Sequence, residues 1–150
     1  MIGRLIGVDH GQKRIGLAIS DALGLSAREL AILQSRGERE DFAAILAIAA
    51  RENAAGIVVG LPQNPNAPPG IMTQADIVRD WIARMRRVSH LPIVEVSEYL
   101  TSDEARGLAR QLKRSPRQPI DDLAARVILQ AYLDALSYGS ATFPPSESSD

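Results

Sequence analysis

Cysteine is absent from the 150 residues. That excludes disulfides, thiolate zinc sites, thiol nucleophiles and iron–sulfur clusters together. The only histidines are His10 and His90, too few for a histidine-rich metal centre. Any metal would be held mainly by carboxylates, which suits Mg²⁺ or Mn²⁺. Aromatic residues make up 4% of the chain, so a platform that stacks unpaired bases is not expected. No apolar run approaches the ~20 residues of a membrane span. The opening MIGRLIGVDHG turns polar too soon for a secretory leader. The expectation is a cytoplasmic protein with no membrane partner. A strong basic excess is missing as well: 17 basic residues face 18 acidic ones, for a formal net charge of −1. Fifteen of the basic residues are arginine and only Lys13 and Lys113 are lysine. Arginine is the better fork for phosphate, so local patches matter more than the total.

Hydrophobic residues at 45% and charged residues at 23% describe a globular chain of one-domain size. Residues 4–9 (RLIGVD) and 14–20 (RIGLAIS) read as strands joined by a turn at Gly11 and Gln12. A second turn at 22–24 leads to a third strand over 28–33. Short turns between three strands imply an antiparallel meander. Residues 40–53 follow as a helix with Phe42, Ile45, Leu46 and Ala49 on one face. GIVVG (56–60) is wholly apolar, the pattern of a parallel strand buried on both faces. LPQNPNAPPG (61–70) is a loop by its prolines. A helix over 72–88, a strand over 91–98 and a helix opened by a Thr101–Glu104 capping box come next. The basic stretch KRSPRQP (113–119) breaks that helix, and a last helix runs over 121–136. The order βββαβαβαα predicts an α/β fold: a mixed five-stranded sheet with helices on both faces. The domain is expected over residues 1–139, with a disordered tail over 140–150.

Three acids fall at special places. Asp9 ends the first strand, Glu98 ends the fifth, and Asp121 opens the last helix. Parallel strands one, four and five carry ligands at their C-terminal ends. In the last helix Ala124, Val127, Ile128, Ala131 and Ala135 define the expected buried stripe. That phase turns Asp121 toward the sheet edge and Asp122 toward water. Each acid also has a plain structural reading: an Asx-turn for Asp9, an exposed strand end for Glu98, and helix-dipole compensation for Asp121 and Asp122. Convergence of all three would instead require cations between them. Two Mg²⁺ ions about 4 Å apart would suit an in-line phosphoryl displacement.

GVDHGQKRIGLAISD, IVVGLPQN, SEYLTSDEA and IDDLAARVILQAYL, in this order and spacing, resemble the YqgF family, also called RuvX. The resemblance covers roughly residues 3–138. Members are described as Holliday junction resolvases or as nucleases that mature the 5′ end of 16S ribosomal RNA. It implies a ribonuclease H-like fold and a divalent-metal phosphodiesterase. Position by position, it places the metal and catalytic acids on Asp9, Glu98 and Asp121, and a basic pair on Lys13 and Arg14. The chain departs from the family pattern at His10, where an aromatic is usual. It also departs at Ser97 and Tyr99, where Asp and Arg flank the glutamate, and in its longer proline-rich loop after Pro62. The lysine usual before the last-helix Asp is replaced at best by Arg117.

The expected function is therefore a metal-dependent nuclease acting on a structured RNA precursor, with branched DNA as the alternative substrate. Lys13, Arg14, Lys113, Arg114 and Arg117 would hold phosphates near the metals. Arg84, Arg86 and Arg87 read as a solvated helix face, and His10 as a locally hydrogen-bonded side chain. A junction resolvase would call for a two-fold homodimer, whereas an RNA end-trimmer could act as a monomer. Two rivals stand beside this reading: an actin-like phosphotransferase, for which one such unit is too short, and a non-catalytic nucleic-acid-binding module.

Overall fold

The computed structural model describes residues 2–62, 68–98, 101–115 and 117–144; the side chains of Glu98 and of residues 101–103 are outside the description. Five strands and four helices follow one another as β1 (Arg4–His10), β2 (Arg14–Ser20), β3 (Ala27–Gln34), α1 (Glu38–Arg51), β4 (Ala54–Pro62), α2 (Gln74–Arg86), β5 (Ile93–Glu98), α3 (Thr101–Gln111) and α4 (Asp121–Ser137). This is the βββαβαβαα order expected from the sequence. The sheet order is β3-β2-β1-β4-β5. β1, β2 and β3 pair antiparallel, while β1–β4 and β4–β5 pair parallel.

Period-2 alternation sends the strand side chains into two cores. Ile6, Val8, Ile15, Leu17, Ile57 and Val59 join Phe42 and Ile45 of α1 and Val78, Trp81, Ile82 and Met85 of α2. On the other face Leu5, Ala18 and Val58 join Ala125, Ile128, Leu129, Tyr132 and Leu133 of α4. α3 packs on α4 through a smaller cluster of Ala105, Leu123 and Ala124. Burying these faces is the main stabilising term of the fold. Among the described residues no helix is long and apolar enough to cross a membrane.

Several boundaries differ from the sequence expectation. β4 takes Leu61 and Pro62, which pair with Ser97 and Glu98, so the proline-rich loop starts later; its residues 63–67 are outside the description. The Thr101–Glu104 box likewise involves a side chain outside it. A capping box does open α2: Thr73 accepts from the Asp76 amide at 3.2 Å, and the Asp76 carboxylate accepts from the Thr73 amide at 2.9 Å. Contacts with α4 continue past residue 139. The Tyr132 hydroxyl donates to the Thr142 carbonyl at 2.8 Å, and Phe143 packs with the α4-side core. A glycine at position 56 leaves the room for that ring.

The feature that positions the ends of the sheet is the closeness of α4. Added Cβ atoms at Gly7, Gly16 and Gly60 would collide with Leu129, with the Asp121 carbonyl oxygen and with Ile128. One glycine on each of three adjacent strands thus lets the helix lie almost on the backbone of the sheet. Gly16→Ala is expected to lower stability by about 1–3 kcal/mol or more, because the Asp121 backbone must shift. Gly107→Ala on α3 meets only the tip of Arg110 at 4.0 Å. It is expected to be neutral or to stabilise by up to about 1 kcal/mol. Urea unfolding of the two variants checks the contrast.

Candidate active site

Asp9 lies at the C-terminal end of β1, and its Cα partner across the β1–β2 ladder is Gly16. The Asp121 carbonyl rests against that same glycine. The close approach of α4 therefore delivers its first residue beside the first-strand acid. Leu5 points to α4, and Ile6 and Val8 point away from it. By alternation Asp9 falls on the α4 face and His10 on the opposite one.

Two carboxylates in one partly buried place disfavour double ionisation. The Asp9 carboxyl is pushed up to about 7, first by burial and then by the charge of Asp121. Asp121 is not left alone: the Arg14 Nε–H donates to its Oδ2 at 3.0 Å. The Arg14 side chain remains 44% exposed. Lys13, one residue earlier in the β1–β2 turn, is exposed, and its carbonyl accepts from the Ser35 amide.

Glu98 belongs to the same margin by register. Val8 pairs with Val59, and Gly60 pairs with Val96. Asp9 is one residue beyond Val8, and Glu98 two beyond Val96. The structure thus brings Asp9 and Asp121 together and puts the backbone of residue 98 at the same end of the sheet. Among the described residues no three acidic or histidine side chains form a metal cluster.

Other expectations change. Asp122 does not point to water. It is buried, and its two oxygens accept from Nη1 and Nη2 of Arg114 at 2.7 and 2.9 Å. The cause is α3, which covers that flank of α4 and makes its buried arc wider than one stripe. Ala131 and Ala135, expected in the stripe, are only half-buried, while Leu129, Tyr132 and Leu133 fill the sheet interface. Arg114, read from sequence as a phosphate contact, is paired within the protein and also donates to the Pro119 carbonyl at 3.1 Å. Lys113 and Arg117 are exposed on the same turn. Neither the Arg114–Asp122 pair nor the partner of His10 was visible in the sequence pattern. The one hint of the pair was opposite charges on either side of a helix break.

The His10 ring packs at a tilt against Trp81, with centroids 4.6 Å apart, and Trp81 in turn meets Phe42 at 5.2 Å. The His10 Nδ1 is buried with no partner among the other described residues. Burial holds its pKa below the usual histidine range, with Asp41, a hydrogen bond to its own backbone and Glu38 offsetting part of the effect. Arg84 and Arg86 are ion-paired with Glu38 and Glu95 at the surface, as suits a solvated helix face.

A family model described as "RuvX: Holliday junction resolvase" matches residues 3–135. A protein of Moorella thermoacetica, provisionally named a pre-16S rRNA nuclease, is 38% identical over 136 residues, 89% of this chain and 96% of its own length. One from Syntrophus aciditrophicus with the same provisional name is 34% identical over 137 residues, 89% of this chain and 90% of its own. Among solved structures, Thermus thermophilus RuvC in complex with a Holliday junction superposes with a TM-score of 0.61 at 14% identity, covering 91% of this chain and 97% of that one. The fowlpox virus resolvase with junction DNA gives 0.52 at 14% identity, covering 89% and 98%. These two likenesses establish a RuvC-like, ribonuclease H-type fold.

The raised Asp9 pKa has a consequence for stability. Between the unfolded value of 3.8 and the folded value of about 7, the native state binds more protons than the unfolded state. Metal-free protein should therefore lose stability as pH rises through that window, by up to about 4 kcal/mol. Asp9→Asn removes the titration. In a chelating buffer its thermal midpoint should exceed that of the wild type at pH 8 and converge with it near pH 4. Melting curves across that range check the sign.

Proposed function

The chain belongs to the RuvX family, and from that membership together with the Asp9–Asp121 pair we propose that it is a divalent-metal-dependent nuclease. Its proposed reaction is hydrolysis of phosphodiester bonds in the 5′-end maturation of 16S rRNA precursor. The single observation that carries the chemistry is a desolvated carboxylate pair at the end of the central strand. Such a pair is favourable as a dianion only with a cation beside it. The residues fit a hard cation with oxygen ligands, Mg²⁺ or Mn²⁺, held by Asp9 and Asp121 with Glu98 as third ligand. When bound, such an ion supplies Lewis-acid stabilisation of charge on the scissile phosphate and lowers the pKa of attacking water.

The protein's own residues do the rest. Asp9, desolvated at the end of β1, would orient what lies against the sheet. Arg14 holds Asp121 by one N–H and keeps its remaining donors for a phosphate oxygen. Lys13, Lys113 and Arg117, all exposed, would add to that positive rim. These cations hold the nucleic-acid backbone without reading bases, so the fit is to clustered phosphates. The names of the near full-length relatives favour an RNA precursor. The description of the family favours a four-way DNA junction as the second reading, and the same residues serve both.

Purified protein with Mn²⁺, offered a labelled 16S precursor fragment and a labelled junction side by side, tests the proposal. Cleavage of the precursor is expected, with loss of at least about 10³-fold in Asp9→Asn, in keeping with removal of a group essential to transition-state charge stabilisation. Mn²⁺ is expected to raise the thermal midpoint of the wild type and not of Asp9→Asn. Undiminished cleavage by the variant would overturn the carboxylate mechanism. Cleavage of the junction alone would move the assignment to the second reading.

A further inference from the structure

The first turn of α4 is held from two sides. On the sheet side it rests on Gly16. On the far side Asp122, whose side chain is 11% exposed, takes a two-pronged ion pair from Arg114, whose side chain is 19% exposed. The segment that carries Arg114 is itself tightly set. The Lys113 amide donates to the Arg110 carbonyl at 3.1 Å and the Arg114 amide to the Ala109 carbonyl at 2.9 Å. That is the Schellman pattern that ends a helix, and its left-handed position is normally glycine. Here it is Lys113, with φ of 58°. A side chain in that conformation is strained and persists only where its surroundings hold it. The Arg114 pair, with its further bond to the Pro119 carbonyl, is what ties this turn down.

We infer that Arg114 and Asp122 are positioning residues: together they clamp the turn that carries Arg114 onto the first turn of α4, so that Asp121 is presented to Asp9. Asp122 and Asp121 are neighbours with opposite tasks. One faces α3 and is neutralised inside the protein, and the other faces the sheet margin. The clamp acts through Asp121 and does not touch substrate. The kinetic part of the inference rests on the nuclease reading above; the structural part does not.

Arg114→Lys separates the alternatives, because lysine keeps the charge and loses the planar fork. If Arg114 clamps α4, the variant should weaken Mn²⁺ binding, measured by calorimetry, about tenfold and lower kcat about tenfold, with KM within twofold, as removal of a partner behind a metal ligand does. Asp122→Asn, nearly isosteric and the safer variant to fold, should move both readouts the same way. The double variant should add little to either single one. Circular dichroism verifies that each variant is folded at the assay temperature. A near wild-type Arg114→Lys, beside an Arg114→Gln that raises KM alone, would make Arg114 a phosphate contact and overturn the inference. So would an Asp122→Asn with unchanged Mn²⁺ affinity and unchanged kcat. If the wild type binds Mn²⁺ but cleaves neither substrate, the nuclease reading fails, and the Mn²⁺ affinities of the variants still decide the clamp.

Discussion

The absence of a side chain at Gly16 is the constraint on which the site depends. A methyl group there would occupy the space of the Asp121 carbonyl. Gly7 and Gly60 extend the same freedom to the neighbouring strands, so α4 lies along three bare positions of the sheet. Close packing of this kind stabilises through dispersion and burial. It also fixes where the helix begins. Since Gly16 is the cross-strand partner of Asp9, a helix starting on Gly16 places its first residue next to that acid.

The arrangement has an electrostatic consequence. A helix N-terminus welcomes acids, and Asp121 and Asp122 both lie in the first turn of α4. The protein treats them differently. Asp122 is desolvated and matched by a guanidinium, an arrangement whose net stability is small but whose geometry is specific. Asp121 is kept near Asp9, and the Arg14 contact is partly exposed and correspondingly weak. Burial and the charge of Asp121 thus raise the proton affinity of Asp9. On the proposed reading such a pair would hold its charge beside a divalent ion, as metal-assisted phosphoryl chemistry requires.

The two faces of β1 divide the work. Asp9 and His10 are consecutive and point oppositely, so proximity in sequence does not put His10 at the carboxylate pair. It belongs to a cluster of tilted rings with Trp81 and Phe42. This accounts for a flat ring at a position where an aromatic is usual in the family: the neighbour on α2 is itself aromatic.

Much of the fold was legible in the sequence. The period of two in residues 14–20, the apolar run 56–60 and the helical spacing of Val78, Trp81, Ile82 and Met85 are local patterns, and local patterns report which face is buried. They yielded the element order, and with the rule of right-handed crossovers the neighbours of β1. The acids at strand and helix ends were visible for the same reason. Tertiary structure alone decided which flank of α4 is covered, because that depends on α3, an element whose contacts leave no period in the α4 sequence. It therefore decided that Asp122 is buried, that Arg114 is its partner and that Phe143 belongs to the core. It also decided that Lys113 takes a left-handed conformation where the sequence offers no glycine to announce one. A sequence carries the burial pattern of each segment; which segment does the burying is a property of the assembled chain.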